Sequence, residues 1–291
     1  MCRIAAPKVR ILPQTQTLNW AGVFNVQLFF YIIGIAWKGG LQVEDIIREK
    51  LKEIEEKENV RIIMAVESGS RAWGFASPDS DYDVRFVYVR KPEDYFKLEK
   101  TRDIIEWQLD DVLDINGWDL KKALQLLHDS NPSIFEWCAS PIVYKGSDAF
   151  EEMKKIRADY YSRKKSLYHY WHMANSNYQT YLQGEEVRIK KYFYVIRPLL
   201  AAKWVVDKKT QPPMLFSELL EAELPVELRG IIDNLLDMKQ RMPEMGLAPK
   251  IKELDDFIDA ELEAVKKAAD EEESVKRDWD LLNEFFYRQV M

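Results

Sequence analysis

Cysteine and histidine are scarce in this sequence of 291 residues. There are two cysteines, Cys2 and Cys138, which lie far apart, and three histidines. A disulfide framework needs several cysteine pairs, and a structural zinc site needs clustered Cys and His ligands, so both are excluded. The shortage of cysteine is also typical of a reducing compartment, and we therefore expect a cytoplasmic protein.

Glycine and proline are few as well, with 11 and 12 residues, whereas apolar residues make up 47% of the chain and charged residues 31%. Collagen-like and low-complexity chains are rich in Gly or Pro, and disordered chains are poor in apolar residues. The composition therefore excludes these classes. The length is sufficient for one large domain or two domains of ordinary size.

The sequence also lacks an apolar run long enough to span a membrane. Its densest apolar run, residues 28–37, has ten residues, whereas a spanning helix needs about 20. The surrounding residues fit a signal peptide badly, because a polar stretch follows the first basic residues and a small-x-small cleavage motif is missing. We expect no membrane partner. Residues 1–40 are interpreted as an N-terminal extension. It either contains a buried strand or helix or lies outside the main fold.

The hydrophobic pattern of residues 41–147 changes between the helical period and the strand period. Residues 43–59 have apolar side chains at helical spacing, and residues 119–127 predict a second helix, capped by Asp119. Four short runs are typical of strands: 61–67, 81–89, 104–107 and 112–115. This order predicts an α/β (α+β) domain with a small mixed sheet.

Residues 148–291 have a helical pattern throughout, which predicts a C-terminal helical domain. Aromatic residues recur there at spacings of seven and three. Residues 190–206 predict a helix with a kink or restart at Pro198.

Charge is distributed unevenly along this second half, although the whole chain has a net charge of −7. Residues 151–215 contain 13 Lys and Arg against six acidic residues, and residues 216–273 contain seven against 17. A solvated surface accounts for most charge runs, but a basic, Tyr-rich stretch is also where a polyanion binds. Both interpretations stay open at this point.

One motif indicates chemistry: Gly69-Ser70, ten residues, then Asp81 and Asp83 on the next strand-like run. A turn after the apolar strand 61–67 exposes backbone N–H groups that can hold phosphate oxygens, and glycine permits close approach. Two carboxylates at positions i and i+2 of a strand point to the same side and repel each other unless a cation lies between them. Hard oxygen ligands beside a triphosphate favour Mg²⁺, the arrangement that phosphoryl transfer requires.

Residues 67–89, which contain this motif, resemble the DNA polymerase β nucleotidyltransferase superfamily, whose signature is Gly-Ser followed at this distance by Asp-x-Asp. Residues 113–127, 130–137 and 190–204 are similar to the bacterial and phage family of that superfamily named for its association with RNA repair. The resemblance covers residues 43–290 and departs in no essential position. It implies a polymerase-β-like catalytic domain followed by the helical domain.

The resemblance also implies the roles of the motif. Gly69 and Ser70 would hold the triphosphate of an NTP, and Asp81 and Asp83 would hold metal, with two Mg²⁺ ions expected. The superfamily needs a third carboxylate on a neighbouring strand, as metal ligand or base. Asp114 is our choice.

Three other candidates keep a structural alternative beside the functional one. Asp119 is the second choice for the third carboxylate, but a helix cap explains its position well. Arg71 could contact a phosphate or pair with Asp79. Trp73 and Phe75 could belong to the core or stack on a base.

Basic residues of the second half complete the expected nucleotide site. Lys190 and Arg197 are seven residues apart and so share a helical face, which could meet the γ-phosphate or an acceptor strand. Lys191 is the alternative to Lys190, and structural salt bridges compete with both roles.

The function expected from the resemblance is Mg²⁺-dependent transfer of a nucleotide from an NTP to an acceptor hydroxyl, with release of pyrophosphate. The expected acceptor is an RNA end. A protein or small-molecule acceptor, or an antitoxin-like binding role, are the alternatives. The sequence leaves the oligomeric state open.

Overall fold

The structure of the protein is a computed structural model that describes residues 43–77, 80–107, 112–241 and 246–291. The expected N-terminal extension and the alternative pairing of Arg71 with Asp79 lie outside these residues. The helices are α1 Val43–Glu58, α2 Gly69–Ala72, α3 Pro92–Tyr95, α4 Leu120–His128, α5 Pro132–Ala139, α6 Asp148–Tyr160, α7 Arg163–Tyr181, α8 Ile189–Lys208, α9 Phe216–Glu223, α10 Val226–Arg241, α11 Lys252–Glu271 and α12 Asp280–Val290. The strands are β1 Arg61–Ser68, β2 Tyr82–Val89, β3 Ile104–Glu106, β4 Leu113–Asp119, β5 Val143–Lys145, β6 Glu186–Arg188 and β7 Leu247–Pro249.

Five strands form one mixed sheet in the order β3-β4-β2-β1-β5. The central pair β2 and β4 is parallel, and the other neighbours are antiparallel. Two very short strands, β6 and β7, pair separately. The mixed α/β class and the small mixed sheet expected from the sequence are confirmed.

The central strands form because their residues are apolar and β-branched, and the sheet buries them. Six consecutive residues of β1 are buried, whereas β4 alternates between buried and half-buried residues. Gly117 on β4 is required by packing, because a Cβ there would lie 2.2 Å from the ring of Phe86 on β2. Asp83 and Asp114 occupy half-buried positions of β2 and β4, where the candidate site lies.

Two hydrophobic cores lie within residues 44–291, which form one compact unit. The first takes side chains from β1, β2, α4, α5, α6 and α12. The second takes side chains from α7 to α11 and from Phe75. Helices α6 and α12 lie within residues 148–291, the expected helical domain, but their side chains pack in the first core. The domain boundary between residues 147 and 148 stays a prediction.

Several elements differ in detail from their sequence patterns. Asn131 caps α5, because its side chain accepts a hydrogen bond from the backbone N–H of Ser133. Pro198 lies inside the continuous helix α8 rather than at a restart. Cys138 is buried in the first core.

Across the residues that the structure describes, every helix is too short or too polar to cross a membrane. The apolar run 28–37 is not among those residues.

Candidate active site

Three polar residues from adjacent strands form a row across the sheet. Ser68, the last residue of β1, is paired with Asp83 on β2, and Asp83 is paired with Asp114 on β4. Asp81 lies just before β2, at the same end of the sheet. The register of three strands, rather than chain proximity, brings Asp114 next to Asp83.

Gly69 allows the turn after β1 to touch this row. Its φ of +61° lies in the left-handed region that favours glycine. A Cβ at position 69 would lie 2.1 Å from Oδ2 of Asp83. One oxygen of Asp83 therefore faces the Gly69-Ser70 turn, where the sequence predicts phosphate binding.

The backbone of Asp83 is also bound by a buried glutamate, Glu67. The Asp83 backbone N–H donates to Oε1 of Glu67 at 2.7 Å, and the Tyr144 hydroxyl donates to the other oxygen of Glu67. Burial raises the pKa of Glu67 to about 7, although these hydrogen bonds act in the opposite direction. Burial also raises the pKa of Asp83; the Arg85 guanidinium opposes this effect and the Asp114 carboxylate adds to it.

Arg85, two residues after Asp83, joins the two paired aspartates. Its Nη2 donates to Oδ1 of Asp83 at 3.0 Å and to Oδ2 of Asp114 at 2.7 Å. Its Nη1 donates to the carbonyl of Asp114 at 2.9 Å. These charge-assisted hydrogen bonds offset the repulsion between the two carboxylates.

A cavity of about 270 Å³ opens in front of the turn. The sheet and turn contribute Ser68, Gly69, Ser70, Ser80, Asp81 and Asp83, and the other lining residues are Trp73, Phe75, Lys190, Tyr194 and Lys239. Carboxylates and the turn thus form one wall, and two lysines with aromatic rings contribute to the rest. Such a cavity suits an anionic, partly aromatic ligand together with a cation.

The expected nucleotide-binding residues divide into those that line the cavity and those that do not. Gly69, Ser70 and Lys190 line it. Arg71 donates to the carbonyls of Ser80 and Asp81 at 2.6 and 3.0 Å, so it braces the loop before β2.

Two further basic candidates lie away from the cavity lining. Lys191 lies 3.7 Å from the centroid of the Tyr181 ring. Arg197 is buried, pairs with Glu136 at 3.0 Å and lies over the Trp73 ring.

Comparison with known proteins places the chain in a family. Residues 43–288 match the family model RlaP, described as the RNA repair pathway DNA polymerase beta family. The chain belongs to this family. It is thus a member of a nucleotidyltransferase-like family of the polymerase β type.

Two individual proteins are similar to this RlaP family member. "Uncharacterized protein YcgL" of Bacillus subtilis (strain 168) is 47% identical over 234 residues, which cover 80% of this chain and 90% of that protein. The crystal structure of a nucleotidyltransferase-like protein from Exiguobacterium sibiricum 255-15 covers 84% of this chain and 79% of its own, with 12% identity and a TM-score of 0.30.

Three residues of the candidate site were missed in the sequence. Glu67 ends the apolar run 61–67, Arg85 lies within the strand-like run 81–89, and Lys239 belongs to the acidic region 216–273. Only Arg85 carried a signal, because it follows Asp83 at i+2 and so shares its side of β2. Lys239 reaches the cavity from α10 and donates to the carbonyl of Phe75 at 2.8 Å.

Asp119 and Asp114 lie at opposite ends of β4. Asp119 is buried. Its carboxylate accepts hydrogen bonds from the backbone N–H of Lys121 at 2.8 Å and from the Tyr95 hydroxyl at 3.0 Å. It caps α4, as its sequence position indicates, and is remote from the row that contains Asp83.

The donor set fits a divalent ion in part. Asp81 and Asp83 supply hard carboxylate oxygens at the cavity wall, and Oδ2 of Asp83 can lie this close to the turn because Gly69 lacks a Cβ. Oδ2 of Asp114, by contrast, is engaged by Arg85. Within the described ranges, no three His, Cys, Asp or Glu side chains form a ready metal cluster.

Proposed function

We propose that the protein is a Mg²⁺-dependent nucleotidyltransferase that transfers a nucleotide from an NTP to the hydroxyl of an RNA end. The proposal depends chiefly on the close approach between the Gly69 turn and Oδ2 of Asp83 in one cavity. A turn that suits phosphate and a carboxylate that suits a cation are thus within reach of the same ligand atoms.

In this reaction the acceptor oxygen attacks the α-phosphorus, and the bond from that phosphorus to the bridging oxygen breaks. The electron pair leaves with pyrophosphate, and the hydroxyl proton passes to a carboxylate or to solvent. Mg²⁺ held by Asp81 and Asp83 would neutralise phosphate charge and lower the pKa of the attacking hydroxyl. The carboxylate of Asp114, next to Asp83 in the sheet, completes the expected catalytic set.

The protein groups themselves position the triphosphate. The Ser70 hydroxyl and the backbone of the turn are the donors on one side of the cavity, and Lys190 and Lys239 supply positive charge from helices α8 and α10. Trp73 and Tyr194 offer aromatic surface in the same cavity. Their ring centroids are 6.4 Å apart, and the rings are arranged edge to face. This surface suits a nucleobase or an unpaired base at the acceptor end.

The basic stretch 157–209 is the proposed contact with the RNA backbone. It includes Lys190, which lines the cavity, and Lys191, whose neighbour Tyr181 has an exposed ring. Phosphate contacts by lysine and arginine release counterions, so binding of RNA should weaken steeply as salt is raised.

The test is incubation of the full chain with each labelled NTP and Mg²⁺ in the presence of RNA, DNA or protein acceptors. We expect label on RNA and release of pyrophosphate. The Asp81→Asn/Asp83→Asn double variant should fold and lose transfer by orders of magnitude. Label on protein or on a small molecule would favour the alternative acceptors. Transfer by the double variant at the wild-type rate would refute the site.

A further inference from the structure

Arg85 is fixed in a way that bears on metal binding. Nη2 donates to both Asp83 and Asp114, and Nη1 donates to the carbonyls of Asp114 and Val84 at 2.9 and 3.1 Å. The side chain is 18% exposed, against 38% for that of Asp114. Four hydrogen bonds thus hold the planar guanidinium between the two carboxylates.

The two oxygens of Asp83 consequently face different partners. Oδ2 is next to Gly69 and the cavity, and Oδ1 accepts from Arg85. A divalent ion held by Asp81 and Asp83 on the cavity side leaves the Arg85 contacts intact. An ion that bridged Oδ1 of Asp83 and Oδ2 of Asp114 would instead compete with Arg85 for those oxygens.

A guanidinium and a divalent ion compete for these two oxygens. Mg²⁺ binds oxygen at about 2.0–2.1 Å, and Nη2 already lies 2.7 Å from Oδ2 of Asp114. An ion on the same lone pairs would come close to a guanidinium carrying the same sign of charge in a half-buried place, where repulsion is weakly screened.

We propose that Arg85 is a resident counter-cation which occupies the place of an ion shared by Asp83 and Asp114. This role of Arg85 rests on the proposed function. The protein with bound nucleotide then holds one divalent ion, through Asp81 and Asp83, and takes a second ion only when the guanidinium leaves. Arg85 is a positioning residue that sets the affinity of the second ion, and its release is a step on the way to the reactive complex.

The experiment is a titration of the full chain with Mn²⁺ and a non-hydrolysable NTP analogue, with free Mn²⁺ followed by electron paramagnetic resonance. Mn²⁺ prefers the same hard oxygen ligands. For the wild type we expect one tight ion per nucleotide-bound chain and a second at least tenfold weaker. Arg85→Gln should tighten the second ion tenfold or more and leave the first unchanged. Arg85→Lys, which keeps the charge but loses the planar fork, should lie between them.

Arg90→Gln is the matched control, because Arg90 follows β2 at its other end and donates to the carbonyl of Arg102. It should match the wild type in both ions. Arg85→Gln leaves two adjacent carboxylates unbalanced, so Arg85→Gln/Asp114→Asn tests the case in which the single variant does not fold. The double variant should bind the first ion normally and lack the second.

Two outcomes separate this inference from the proposed function. Equal affinity for the second ion in the wild type and Arg85→Gln overturns the role of Arg85 alone. The same conclusion follows if Asp114→Asn removes the tight ion of the wild type. Absence of nucleotide-dependent Mn²⁺ binding in every variant overturns both this inference and the proposed function.

Discussion

Arg197 lies 4.3 Å from the ring centroid of Trp73, which lines the candidate cavity. The same guanidinium pairs with Glu136 of α5 at 3.0 Å, and Glu136 also accepts from the Tyr170 hydroxyl of α7. Arg197 therefore connects both hydrophobic cores to a wall of the cavity. Its expected role in nucleotide binding becomes an indirect one in our proposal.

Replacement of Arg197 should affect stability before it affects nucleotide binding. Arg197→Met leaves the partly buried carboxylate of Glu136 without its ion-pair partner, and the free energy of unfolding should fall by about 3 kcal/mol. Chemical denaturation measures this loss. Arg197→Met/Glu136→Leu should recover part of it. Unchanged stability together with a tenfold rise in KM for NTP would instead indicate a direct phosphate contact.

The third carboxylate can be identified from two matched variants. Asp114→Asn should reduce nucleotide transfer by orders of magnitude and leave the fold intact. Asp119→Asn should keep transfer near the wild-type rate, and its stability should change by less than about 1 kcal/mol, because Asn caps a helix as well as Asp does. Single-turnover rates and thermal unfolding are the measurements. The reverse pattern of rates would assign the role to Asp119.

Two glycines with positive φ separate backbone strain from disturbance of the site. The positive φ values of +61° and +81° should alone cost Gly69→Ala and Gly74→Ala about 1–2 kcal/mol of stability each. Only Gly69→Ala places a Cβ against Asp83, whereas at Gly74 the nearest atom is the flexible Leu215 side chain at 3.2 Å. Calorimetric titration with an NTP analogue and Mg²⁺ should therefore show weaker binding for Gly69→Ala alone. Equal binding by both variants would mean that the turn is merely structural.

Lys190 and Lys191 should differ in what they bind. Lys190 lines the cavity, so Lys190→Ala should raise KM for NTP. Lys191 lies over the Tyr181 ring, so Lys191→Ala should flatten the dependence of RNA affinity on salt by roughly one unit of slope while KM for NTP stays the same. RNA binding measured by anisotropy at several salt concentrations gives the slope. Affinity for RNA that does not depend on salt would redirect the search toward a protein or small-molecule acceptor.

Glu223 gives the protein a specific dependence of stability on pH. Burial and a hydrogen bond with Asp207 raise the pKa of Glu223 from 4.5 to about 7. The unfolded chain therefore releases this proton at lower pH than the folded chain, and the contribution to stability is lost as pH rises between these values. Glu223→Gln should unfold at a higher temperature than the wild type at pH 8, and the difference should shrink toward pH 4.5.

The control for this prediction is Glu221→Gln on the same helix, because Glu221 is exposed. It should change the melting temperature little at any pH. A difference between Glu223→Gln and the wild type that is constant from pH 4.5 to 8 would contradict the role of the Glu223 proton.

Local patterns predicted most of the secondary structure. Helix α1, strands β1 and β2 and the Asp119 cap follow from periodicity and capping, because these signals depend on neighbours within a few residues of the chain. The two-stranded pair of β6 and β7 was missed, because β6 contains a single apolar residue and the two strands are far apart in the chain.

The sequence itself determined the family and the motif at Gly69, Ser70, Asp81 and Asp83. Such a signature is defined by residue types and by the number of residues between them, both of which are visible in the sequence. Tertiary structure alone decided which distant groups meet there. Strand register placed Asp114 beside Asp83 and left Asp119 at the far end of β4. Helix packing brought Lys239 into the cavity and buried Arg197. These long-range contacts depend on how strands and helices pack against one another. Local sequence patterns do not specify that packing.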